Sequence, residues 1–97
     1  MPFTVHNLMQ SLRDGKFTSI GSYPTYFVTG DGEALSHEAV HENLWQVARA
    51  TRDRRRLGMI ERQWAVIGVE VNWEDEELTC AQTGKPIECA YPGEVEG

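Results

Sequence analysis

The run Trp64-Ala65-Val66-Ile67-Gly68-Val69-Glu70-Val71-Asn72-Trp73 constrains the fold more than any other part of the chain. β-Branched and aromatic side chains fill it, and these suit a pleated, half-buried surface rather than a helix. It opens apolar on both faces and closes in alternation. That pattern predicts a central strand over 63–73 whose far end reaches solvent on one side. A chain of 97 residues has room for one core, so the remaining elements must pack on this strand.

Those elements are marked by their ends. Thr4 can cap a first helix in which Val5, Leu8, Met9 and Leu12 recur at helical spacing, and Gly15 sits where a helix stops. Thr25-Tyr26-Phe27-Val28-Thr29 predicts a strand. Gly30-Asp31-Gly32 predicts a turn, and Glu33-Ala34-Leu35 a short return strand. Ser36 is a good N-cap for a helix over 37–53, with Val40, Leu44, Val47, Ala48 and Thr51 on one face and arginines crowding its C-terminal end. Leu78–Ala81 and Ile87–Tyr91 read as a hairpin. With Gly84 in the left-handed position, Ala81 faces Lys85, Cys80 opposes Pro86 and Cys89 falls on the other face. The expected fold class is α+β: a small mixed or antiparallel sheet of about 3–5 strands with two helices on one face. Residues 1–91 form a single domain, and 92–97 a flexible acidic tail.

Nine aromatic residues set among apolar runs exclude a wholly disordered chain. No apolar stretch approaches the ~18 residues of a membrane span, and the N-terminus lacks the pattern of a signal peptide. A cytoplasmic location is therefore expected. The net charge of −6 is strongly segregated. Residues 49–62 carry Arg49, Arg52, Arg54, Arg55, Arg56 and Arg62 against Asp53 and Glu61, whereas 63–97 carry Lys85 against eight carboxylates. Overall acidity argues against direct nucleic-acid binding and points to a basic partner.

His37-Glu38-Ala39-Val40-His41 matches His-Glu-x-x-His. Mid-helix, such a pair can hold one Zn²⁺ while the Glu acts as general base on a bound water. Here Ser36 places His37 in the first turn, Glu42 and Asn43 follow the second His, and no third ligand stands at a recognised spacing. The residues favour two His on an amphipathic helix, His37 nearer the core than His41, with no cofactor. Cys80 and Cys89 read as free thiols on opposite faces of that hairpin; a turn centred on Gly84-Lys85 would oppose them but needs the N–H that Pro86 lacks. Cys-x₈-Cys is no zinc spacing by itself, and both together with a His form a weaker metal alternative.

The partner-binding candidates are Trp73, Glu74, Asp75, Glu76 and Glu77, which combine an aromatic anchor with electrostatic steering. Arg52, Arg54, Arg55 and Arg56 form a secondary basic patch, read first as a helix end compensating the dipole.

The pieces Ser22-Tyr23-Pro24-Thr25-Tyr26-Phe27-Val28-Thr29-Gly30-Asp31-Gly32, Leu35-Ser36, Val69-Glu70-Val71-Asn72-Trp73-Glu74-Asp75, and Cys80 with Thr83-Gly84-Lys85-Pro86-Ile87-Glu88 and Ala90-Tyr91 resemble a group of short uncharacterised proteins. That group is encoded on proteobacterial phages, prophages and other mobile elements. The resemblance spans roughly residues 4–91 and implies a setting rather than an activity. It implies a small non-enzymatic accessory protein that binds and inhibits a host or defence protein. Anti-CRISPR or other anti-defence action, with carboxylates mimicking DNA, belongs to that class. A zinc hydrolase using His37, Glu38 and His41, and a nucleic-acid contact through Arg52–Arg56, are the alternatives. A homodimer is left open.

Overall fold

The computed structural model describes residues 3–18, 21, 23–53 and 61–90. Helix α1 spans Val5–Asp14. The Thr4 hydroxyl accepts the Asn7 N–H at 3.1 Å, and the Asn7 side chain accepts the Thr4 N–H at 3.0 Å. These reciprocal bonds satisfy two amide donors that the first turn would otherwise leave bare. Gly15 stops the helix at φ 93°, a backbone region that penalises any side chain.

Three strands follow: β1 (Thr25–Thr29), β2 (Ala34–Leu35) and, much later, β3 (Val66–Val71). Both neighbours of β1 run antiparallel to it, with Phe27 opposite Leu35 on one side and Val69 on the other. The order is β2-β1-β3, so the molecule has a small α+β fold with a three-stranded antiparallel sheet. The strongest strand signal in the sequence therefore lies at an edge, and β1 occupies the centre. The tight Gly30–Gly32 turn folds β2 back on one flank of β1, leaving only the other flank for β3. The pairing shifts between Val28 opposite Gly68 and Thr29 opposite Val66, which leaves Ile67 with no partner across the ladder. Ile67 is 47% exposed, and its expected place in a central core strand is corrected accordingly.

Period-two alternation sorts β1 into two faces. Phe27 and Thr29 are fully buried, whereas Tyr26 and Val28 look the other way. The helices gather on the Phe27 face. Leu8 of α1, Ala39 and Val40 of α2 (His37–Glu42) and Val47 of α3 (Leu44–Asp53) join Phe27, Leu35, Val66, Cys80 and Ile87 in one core.

The expected single helix over 37–53 divides at Asn43. Both its N–H and its side-chain Nδ2 donate to the Ala39 carbonyl, at 3.1 and 2.9 Å, and its own carbonyl accepts the Val47 N–H. The Asn43 backbone leaves helical values, at φ −119° and ψ 29°, and its side chain caps the end of α2 by sharing the Ala39 carbonyl, before α3 begins. Buried Thr51 then ties α3 to the sheet, its hydroxyl accepting the Val66 N–H at 3.0 Å.

The expected C-terminal hairpin is reduced to a bridge between Thr79 and Pro86. Cys80 donates its N–H to the Lys85 carbonyl and Ile87 donates to Leu78, so Cys80 opposes Lys85, one position from the expected register. Gly84 does take the left-handed conformation, φ 73°. The Ala81 N–H donates to the Ala34 carbonyl at 2.8 Å and fastens this segment beside β2. Arg54, Arg55, Arg56 and the 92–97 tail lie outside the described residues. Among the described residues no helix is long and apolar enough to cross a membrane.

Candidate functional site

The sheet face turned away from the helices carries a groove of about 500 Å³. Its walls come from three separate stretches of chain. Tyr26 and Glu70 are cross-strand neighbours on β1 and β3, Glu33 follows the β1–β2 turn, and Asp75 and Glu77 hang over from the turn after β3. Four carboxylates thus face one concavity. Burial raises the Tyr26 hydroxyl above its ordinary value of 10.0, and the Glu70 charge, a hydrogen bond to Glu70 and the Asp75 charge add to the rise. Tyr26 therefore remains a protonated donor to Glu70, and the groove presents carboxylates from three stretches of chain to a cationic side chain.

Asn72, only 4% exposed, builds the acidic turn. Its Oδ1 accepts the Asp75 N–H at 3.1 Å, while Nδ2 donates to the carbonyls of Asp75 at 3.0 Å and Glu88 at 2.9 Å. The Asp75 carboxylate in turn accepts the Glu77 N–H at 3.0 Å. Of the residues expected to bind a partner, Asp75 and Glu77 enter the groove, and Glu74 and Glu76 lie exposed beside it. Trp73 turns elsewhere, its ring 4.6 Å from that of Tyr23 and 48% exposed. Glu33, Glu70 and Tyr26 complete the groove without having been singled out from the sequence. Only the strand register reveals Tyr26 and Glu70 as neighbours.

The two histidines part company. His37 is 6% exposed and packs its ring 4.6 Å from that of Phe27; His41 is exposed. His37 Nε2 lies 2.9 Å from the Thr25 hydroxyl, which is itself 2.7 Å from the Lys16 carbonyl. With the hydroxyl proton given to that carbonyl, the hydroxyl accepts from Nε2–H, and Nε2 has no lone pair to offer a metal. Burial, first among the causes, lowers the His37 pKa from 6.5. Among the described residues no group of three or more His, Cys, Asp or Glu is placed to hold a metal ion.

Both cysteines are free thiols. Burial pushes the Cys80 thiol up, but hydrogen bonds from Ser36 and Thr83 outweigh it and bring the pKa down to about 7. Sγ lies 3.4 Å from the Ser36 N–H, inside the core.

On the basic side, the Arg52 guanidinium is held by neighbouring Asp53 at 3.0 and 3.1 Å. Lys16 bridges Glu38 and Glu88 at 3.2 Å each, joining the start of α2 to the C-terminal segment. Compared with protein-family models, curated proteins and solved structures, the chain matches none of them.

Proposed function

We propose that this chain is a non-enzymatic binding protein whose acidic groove engages a basic surface on a host or defence protein. The observation that carries the reading is the convergence of Glu33, Glu70, Asp75 and Glu77 on one concavity from three stretches of chain. A lysine or arginine side chain of the partner fits the chemistry of that concavity, with Tyr26 and Val28 forming its floor. Fixed carboxylates of this kind can stand where nucleic-acid phosphates would otherwise bind, and they steer association with a basic surface. The resemblance to proteins of phages and mobile elements supplies the setting: inhibition of a bacterial host or defence protein, anti-CRISPR or other anti-defence action included, in the host cytoplasm. The engaged Nε2 of His37 lends the hydrolase alternative no support.

The test is affinity capture from a proteobacterial lysate with two baits, the native protein and a variant carrying Glu33→Lys, Glu74→Lys and Glu77→Lys. The side chains of these three are exposed, so the variant should fold. A retained protein with a basic surface that is lost from the reversed bait supports the reading. Equal retention by both baits refutes it.

A further inference from the structure

Helix α3 presents a second stripe that the core uses only at Ala48. Val47, Ala50 and Thr51 are buried, but Trp45, Ala48, Arg49 and Arg52 recur at the i, i+3, i+4, i+7 spacing that makes one stripe along a helix. Together with Val5 of α1 they line a groove of about 440 Å³ between the two helices. Trp45 is 85% exposed. A side chain that large and apolar contributes little to the fold from there, whereas Trp and Arg are the residue types that dominate binding hot spots. Arg52 is tethered by Asp53, while Arg49 makes no ion pair among the described residues.

From this arrangement we infer that the α1–α3 groove docks a short acidic, amphipathic segment of another protein. Its apolar side chains would cover Trp45, Val5 and Ala48, and its carboxylates would meet Arg49 and Arg52. Charge complementarity selects this occupant. Among the described residues the groove lining carries Arg49 and Arg52 and no carboxylate, on a chain of net charge −6; a long polyanion such as a nucleic acid is repelled along its length by that net charge, whereas a short acidic segment meets the arginine-lined groove. The apolar floor set between helices also suits a side chain inserted from a helix or strand, as in other helix-groove complexes. The surface is distinct from the acidic groove, and the molecule would then carry two docking faces of opposite charge.

The experiment is fluorescence anisotropy with a labelled peptide of about 14 residues, roughly four helical turns, bearing Leu and Phe on one face and Glu on the other. Controls are the same peptide with Lys for Glu and a single-stranded oligothymidylate. The acidic peptide should bind, and Trp45→Ala or Arg49→Glu should each weaken it by about tenfold or more, the scale of a hot-spot truncation. The Glu33→Lys, Glu74→Lys, Glu77→Lys variant should bind it undiminished. Circular dichroism should show an unchanged melt for Trp45→Ala, since that side chain is exposed. Failure of the acidic peptide to bind, binding indifferent to both substitutions, or preferential binding of the oligonucleotide through the same residues would each overturn the inference. So would loss of the groove to self-association, seen by sedimentation as an oligomer that Trp45→Ala dissolves.

Discussion

Asn72 and His37 show how single buried polar side chains position the surfaces of this molecule. Asn72 joins the end of β3, the acidic turn and the Glu88 backbone through one amide. Asn72→Ala removes that amide and leaves buried backbone groups unpaired, at a cost of about 2–4 kcal/mol by chemical denaturation. The turn carrying Asp75 and Glu77 should loosen with it, which hydrogen exchange at the Glu77 amide would detect. His37 makes stability depend on pH. Its folded pKa lies below the ordinary 6.5 because the charged ring would be buried; Glu38 opposes that shift, while His41 and Lys16 add to it. The folded state thus binds fewer protons than the unfolded chain in this window, and stability falls as pH drops through 6.5. Melting curves between about pH 8 and pH 5 should show this acid-side decline. A His37→Gln variant should lose that component of the slope; an unchanged slope would mean that His37 is not the titrating group. The inward position of His37 was legible in the sequence from Val40, Leu44 and Val47, but its bond to Thr25 was not, because it joins segments whose proximity only the fold creates.

At the scale of elements, local signals are strong in this sequence and neighbour relations are weak. Thr4, Gly15, Ser36 and Gly84 act where their chemistry says they should, because capping and left-handed turns are decided within a few residues. The edge position of β3 is not legible in the sequence, since apolar content on both faces describes an edge strand with a bulge as readily as a central one. The break at Asn43 is hidden in the sequence because the apolar spacing continues across it; the backbone leaves helical angles there while its N–H and side chain share the Ala39 carbonyl. The corrected topology makes a differential prediction. Val47→Ala, in the core, should cost about 2–3 kcal/mol, whereas Ile67→Ala, on the exposed bulge, should cost less than about 1 kcal/mol. Equal costs in urea unfolding would show that β3 is packed on both sides after all.

Across the whole molecule, the charge segregation seen in the sequence becomes a separation of faces. The open face of the sheet gathers carboxylates, and the outer stripe of α3 gathers Trp45 with two arginines. Counting charges along the chain found the acidic segment but not Glu33 or Glu70, which reach the groove through strand pairing rather than through sequence proximity. Trp73, the expected anchor, sets its ring against that of Tyr23 and stays 48% exposed. The most direct measurement of the central claim is the association rate of the captured partner with three forms of the protein. These are the native chain, the Glu33→Lys, Glu74→Lys, Glu77→Lys variant, and an Arg49→Glu, Arg52→Glu variant. Each is measured from about 0.01 M to about 0.15 M salt, over which the Debye length shrinks from about 30 to about 8 Å. An acidic docking face predicts a native on-rate that falls steeply with salt, a carboxylate-reversed variant that barely associates, and an arginine-reversed variant that behaves as the native chain does. Binding kept by the carboxylate-reversed variant and lost by the arginine-reversed one would contradict the account and move the site to the helix.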